Sequence, residues 1–262
     1  GPCLSRCRLG PPNSNPCAVV KPWPGVPPDI DPLQHPGLLP EVDWQRPCYL
    51  PWERWGKPVL SHWRAGCSLP DALNQEKSSE QTVQFVPQHV LPKGVAYENH
   101  VFETGEIPTR ALAHDFFNGL CWLRFPQTKT QLNRLQAQEI ARQGVGAQRG
   151  HVRDAITLFD ENAALWCAPD LLWQALIEKD WHGLFVTHRS QWVNTHLVLF
   201  GHALLEKLLH PFKGITAHVF STPMPRLTSD QALDAWICQQ LQAESLAKKP
   251  FVPLPLAGVP GW

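Results

Sequence analysis

Residues 193–211 read VNTHLVLFGHALLEKLLHP, and the way this stretch folds decides the architecture of the chain. Taken as one element it is a long helix from Val193 to His210. Apolar residues return at helical intervals, and Pro211, which has no amide to donate, stops it. A strand is expected on either side, GLFVTH at 183–188 and ITAHVFS at 215–221, because each is a short run of β-formers. The helix is apolar except for His202, Glu206 and His210. These lie four residues apart and share one face, so they form a stripe that meets either something polar or water.

Outward from this stretch, helices and short strands alternate irregularly. APDLLWQALIEKDW (168–181) reads as a helix with Pro169 at an early position, and AITLFDENAALWCA (155–168) as a hairpin turning at Glu161-Asn162. In RALAHDFFNGLCWLRF (110–125), Leu112, Phe116, Leu120 and Leu123 recur at helical spacing, and Pro126 ends that helix. A second helix is expected from Thr128, an N-cap candidate, to Gly144 at its C-terminal end, followed by the flexible loop GVGAQRG. Nearer the N-terminus, SLPDALNQ (68–75) reads as a short capped helix, KSSEQ as an exposed loop and TVQFV (82–86) as a strand. TSDQALDAWICQQLQAESLA carries the last amphipathic helix, and the tail KKPFVPLPLAGVPGW holds too much proline for regular structure. Without a steady βαβ alternation, a single α+β domain over residues 67–262 is expected rather than a doubly wound sheet.

Residues 1–66 differ in kind. Fourteen of the 27 prolines fall within residues 1–60, which excludes most helix and central strand there. Trp23, Trp44, Trp52, Trp55 and Trp63 nevertheless need burial, so this is expected to be an extended arm packed on the body, with residues 1–20 mobile.

Composition narrows the function classes. Lys+Arg and Asp+Glu both number 23, so no global field draws the chain to nucleic acid or an anionic membrane, and nucleic-acid binding is disfavoured. The twelve Trp are read as packing rather than base-stacking platforms. With no run of eighteen apolar residues and no secretory pattern, a soluble protein is expected. Gly1-Pro2 is read as a remnant of tag removal, which leaves the natural start open. The eight cysteines contain no C-x-x-C pair and are read as mostly reduced thiols. Cys3, Cys7 and Cys17 are the exception, close enough in sequence to bind a metal or cross-link.

The segments YENHVFETGEIPTR, HDFFN, WLRFPQTKTQLN, RDAITLFDEN, FGHALLEKLLHP and PLPLAGVPGW occur in this order. Over roughly residues 41–262 the chain resembles DUF3025, a bacterial family of unknown function. The resemblance implies a cytosolic bacterial origin and carries no reaction with it.

Polar islands interrupt apolar surroundings in four places: Glu98 to Arg110, His114 to Asn118, Asp154 to Glu161, and His202 to His210. One shared pocket would explain all four. Imidazole and carboxylate together are the usual ligands of zinc, manganese or iron, and a helical i, i+4 pair presents two donors on one side. The expected ligands of a divalent metal are therefore His202 and Glu206, with a third from Asp160, His114 or His210. His114, Asp115 and Glu161 are the acid–base candidates, with Glu161 as the base. Arg110 or Arg153, with Asn118, would hold a small anionic substrate, since guanidinium binds phosphate or carboxylate bidentately. Arg110 has a plainer role open to it, an ion pair with Glu98, Glu103 or Asp115. His218, alternating with apolar residues, is read as a packing residue. The expected function is a metal-assisted hydrolase. The alternative is a non-catalytic binding or scaffold protein, in which the same side chains form a buried network and the proline- and Trp-rich segments engage a protein partner.

Overall fold

The structure, a computed structural model, describes residues 39–143, 150–227 and 229–262. Cys3, Cys7, Cys17, Trp23, the mobility expected of residues 1–20, and residues 144–149 of the GVGAQRG loop, Gly144 included, lie outside the described residues. What is described is a mixed helix and strand body, as expected. Its core strand is β3 (Ala163–Cys167), whose first four residues are fully buried. β3 pairs antiparallel with β4 (His196–Leu199) and parallel with β5 (Thr216–Phe220). β5 in turn pairs antiparallel with β6 (Phe251–Pro255), giving the order β4-β3-β5-β6. A separate parallel pair joins β1 (Gln84–Pro87) to β2 (Glu106–Thr109), with α3 (Tyr97–Thr104) in the connection between them.

Four readings of the sequence are corrected. The stretch 193–210 is not one helix. A 3₁₀ segment (Arg189–Asn194) precedes β4, and only His202–Lys207 is helical, as α8. Thr195 to Phe200 is a short β-favouring run, and Gly201 breaks the chain before α8 begins. The expected hairpin at 155–168 is instead α6 (His151–Asn162) running straight into β3. Val152, Ala155, Ile156 and Phe159 bury at helical spacing, which outweighs the β-branched character of the segment. GLFVTH forms a π-helical turn over Gly183–Thr187, not a strand. The tail is not wholly irregular, since β6 is an ordered edge strand. Leu256 donates to Ile215 across the ladder, so Val252 and Leu254 also face β5. Pro253 and Pro255 therefore fall where the ladder asks for no donor.

The arm also departs from its expected extended form. Leu50–Trp52 is a 3₁₀ turn and α1 (Glu53–Arg64) is a helix, despite Pro58 inside it. Burial of Trp52, Val59 and Leu60 offsets the lost hydrogen bond. Trp52 is further fixed by Arg124, whose guanidinium stacks 4.7 Å from its ring and bonds Asp230 at 2.9 and 3.0 Å.

The helices that build the site follow from plain signals. In α2 (Leu69–Glu76), Ser68 caps the first turn by accepting from the Asp71 amide, as its position in the sequence foretells. α4 (Ala113–Arg124) ends before Pro126, where α5 (Pro126–Gln143) begins. Thr128 is not the cap of α5. The orphan amides of Gln127 and Thr128 are taken by Asp234 of α9 (Asp230–Gln240), at 2.9 and 2.8 Å. α7 (Asp170–Glu178) follows Pro169 as expected, and α10 (Ala243–Ala247) is split off from α9. α4 packs on α8, α3 on α5 and α5 on α6, so these five helices surround one space.

Candidate functional site

That space is a cavity of about 360 Å³, open at the surface. α4 contributes His114, Asn118 and Trp122, which lie at i, i+4 and i+8 and so share a face, together with Asp115. α5 adds Lys129, Asn133 and Gln136, again along one face, and α6 adds Asp160 and Glu161. His202 comes from the first turn of α8.

The side chains form a relay across the cavity wall. Glu206 Oε2 lies 2.9 Å from His114 Nδ1, and His114 Nε2 lies 3.1 Å from His202 Nε2. His202 Nδ1 is 3.7 Å from Asp160 Oδ2, and Lys129 donates to Asp160 Oδ1 at 2.5 Å and to Asn118 Oδ1 at 2.8 Å. Asn118 in turn donates to the Tyr97 hydroxyl at 3.3 Å. Beside the relay, Arg110 grips Asp115 through Nε at 3.0 Å and Nη2 at 2.8 Å, and its backbone amide donates to the same carboxylate at 2.6 Å.

Proton positions in the two imidazoles are assigned from these partners. Asp160 lies on the Nδ1 side of His202, 3.7 Å away and beyond hydrogen-bond reach, and raises the proton affinity of the ring; a proton placed on Nδ1 leaves the Nε2 lone pair facing His114. The two Nε2 atoms can then approach to 3.1 Å only if His114 supplies the hydrogen. The electrostatics agree. The Glu206 hydrogen bond raises the His114 pKa against the opposing effect of burial, whereas burial draws His202 down to about 4 despite Asp160. Asp160 is penalised by burial, but Lys129 and His202 together hold it below its ordinary value. The pair therefore sets a half-exposed His114, whose proton affinity is raised, against a buried His202, whose proton affinity is lowered.

Each residue expected from the sequence has a definite place. His114, Asp115, Asn118, Asp160, Glu161, His202 and Arg110 all line the one cavity. Glu206 joins them from behind His114, so that His114 stands between His202 and Glu206. Of the partners considered for Arg110, Asp115 is the one it meets. Arg153 is buried on α6 and is not among the residues lining the cavity. His210 is exposed beyond the end of α8, and His218 is half-buried on β5. Among the described residues no group of three or more His, Cys, Asp or Glu side chains is arranged to hold a metal ion. Cys121 is sealed in the core with its thiol pushed up to about 12 by burial, which removes it as a nucleophile.

Sequence reasoning passed over Lys129, Tyr97 and Gln136. A signal was present for two of them. Lys129, Asn133 and Gln136 stand at i, i+4 and i+7 beside the buried Leu132 and Leu135, a polar stripe adjoining the apolar one.

An α+β body with a histidine and carboxylate cavity between its helices is the class these observations define. The family described as Protein of unknown function (DUF3025) matches residues 83–262, well over half of the chain, and the protein belongs to it. No curated protein and no solved structure matches. Among the described residues, no helix is long and apolar enough to cross a membrane.

Proposed function

We propose that the protein is an enzyme, a hydrolase in which the His114–His202 pair delivers a proton to a small anionic substrate held in the cavity. The observation that supports this most strongly is the 3.1 Å approach of the two Nε2 atoms, with a carboxylate behind each ring. Neighbouring titratable groups driven apart in proton affinity mark an acid–base assignment. His114 is the acid that protonates the leaving group, and His202 orients it and shares its proton. Glu161 takes the proton of the attacking water, while Lys129 and the remaining terminal nitrogen of Arg110 draw in the acid group of the substrate.

The test is a panel of small anionic esters, amides and phosphates offered to the wild type, His114→Asn and His202→Asn. Turnover of any substrate found should fall about 10²–10⁴-fold in His114→Asn, with the melting temperature close to wild type. Turnover retained in both variants, with melting lowered by several degrees, would assign the pair a purely structural role.

A divalent ion is a second reading, favoured by the same distance. Two imidazole nitrogens bound to one tetrahedral zinc stand roughly 3.3 Å apart, and ligating histidines commonly carry a carboxylate on the other ring nitrogen. In that arrangement His114 and His202 would ligate while Glu206 and Asp160 orient them. Metal analysis of protein purified without chelator decides between the readings. Stoichiometric metal lost in His202→Asn favours the ion, and its absence favours the proton pair.

A further inference from the structure

The cavity holds more carboxylates than its cations can match. Arg110 is engaged by Asp115, Lys129 by Asp160 and His114 by Glu206, which leaves only Arg110 Nη1 and one ammonium hydrogen of Lys129 to meet an acid group. Glu98 and Glu161 line the same cavity and form no ion pair among the described residues. Glu161 lies beside Asp160, at the end of α6 that adjoins His202. Glu98 lies elsewhere, on α3, where its backbone carbonyl accepts from Asn133 Nδ2 at 2.8 Å.

One turn further along α5 is Gln136. It is only 4% exposed, it lines the cavity, and its Oε1 has no hydrogen-bond partner. A buried acceptor left unmade is costly, so such a group commonly awaits a ligand or a water. Asn133 thus links the backbone of Glu98 to the helix turn that carries Gln136, and the same cavity is lined by a carboxylate without an ion-pair partner and by an orphaned acceptor. Gln136 is seven residues from Lys129 on one helix, about 10 Å along its axis, so this end is separate from the imidazole pair. The chemistry that satisfies both groups is a donor bearing positive charge.

We infer that the substrate is zwitterionic: a primary ammonium group seats between Glu98 and Gln136 while its acid group faces Arg110 and Lys129. This rests on reading the cavity as a substrate site, and it narrows the substrate class to ω-amino acids and their derivatives. A substrate with an acid group alone would leave Glu98 and Gln136 desolvated and unmatched, which selects against it.

Binding tests it without any turnover. Calorimetric titrations at pH 7 use the full chain and unbranched ω-amino acids of four, six and eight carbons, beside the matching alkanoates and alkylamines. At least one ω-amino acid should bind saturably and at least tenfold tighter than either partner lacking one charge. Glu98→Gln and Gln136→Leu should each remove most of that advantage while the melting temperature stays near wild type; agreement of the two guards against a folding defect in either. The inference is overturned if no ω-amino acid saturates, if the alkanoate binds as well, or if both well-folded variants keep the preference. These outcomes are independent of the histidine pair, whose failure would show instead as turnover surviving in His114→Asn.

Discussion

Gly201 lies so close to the end of α6 that a β-carbon on it would come within 2.3 Å of the Glu161 carbonyl oxygen. The next nearest atom, the Asn162 nitrogen, would be 2.5 Å away. Both belong to the backbone and cannot swing aside. The same junction is tied by the amides of Phe200 and Gly201, which both donate to the Ala163 carbonyl at 2.9 Å. It is this contact that carries His202 to Asp160.

Gly201→Ala should therefore push α8 away from α6. The φ of −59° suits any residue, so the cost is steric and not conformational. Overpacking of this kind destabilises by about 1–3 kcal/mol, which lowers the melting temperature by a few degrees per kcal/mol in a chain of this size. Thermal unfolding checks it, and an unchanged midpoint would show that the junction is looser than described.

The histidine pair predicts opposite slopes of stability against pH. Burial lowers the His202 pKa from 6.5 to about 4, so below pH 6.5 the unfolded chain takes up a proton that the folded one refuses. Stability from this group is complete above pH 6.5 and drains away as pH falls toward 4, by at most about 3 kcal/mol. His114 runs the other way. Its pKa is raised chiefly by Glu206, so its contribution is complete below 6.5 and declines as pH rises through the folded value. Urea unfolding at a series of pH values should show a flatter acid limb in His202→Gln and a flatter alkaline limb in Glu206→Gln.

Lys129 and Asp160 should be strongly coupled. Their side chains are 5% and 26% exposed, so neither is free to rehydrate when the other is removed. Asp160→Asn should cost about 3–5 kcal/mol, as loss of one partner from a buried pair commonly does. The double variant Lys129→Met/Asp160→Asn should recover part of this, and a double-mutant cycle should return a coupling of about 0.5–3 kcal/mol. Additive single costs would mean that the pair is better solvated than its exposure indicates.

Cysteine labelling separates buried from accessible thiols. Cys121 is fully buried and bonds the Phe200 carbonyl at 3.2 Å, and Cys48 is 4% exposed. Both should resist iodoacetamide in the native protein and react in denaturant, whereas Cys67, half-buried near the surface, should react in buffer. Peptide mapping by mass spectrometry reads the result, and native alkylation of Cys121 would contradict a sealed core.

Much of the body was legible from local signals. Ser68, Pro126 and Pro169 punctuate α2, α4 and α7 where sequence rules put them. The misreadings occur where local preference and tertiary burial compete. Ile156 and Thr157 suggest a strand, yet the apolar face defined by Val152, Ala155 and Phe159 packs only as a helix. The long helix expected at 193–210 fails for a related reason. Its apolar run fits either period, and what settles it is β3, whose fully buried edge needs a partner in β4. At the cavity, the histidines and carboxylates were visible as polar interruptions in apolar sequence. Lys129 left a weaker trace, the polar stripe it shares with Asn133 and Gln136, and a lysine on such a stripe reads as solvated until Asp160 and Asn118 are seen to enclose it.

Pro253 and Pro255 have a consequence for how the molecule meets its neighbours. Along the outer rim of β6 they remove the amide hydrogens that a visiting strand would need, so the rim cannot recruit a further chain by strand addition. The last segment of the sequence thereby shields the sheet from fibre growth at the very side where it would otherwise lie bare.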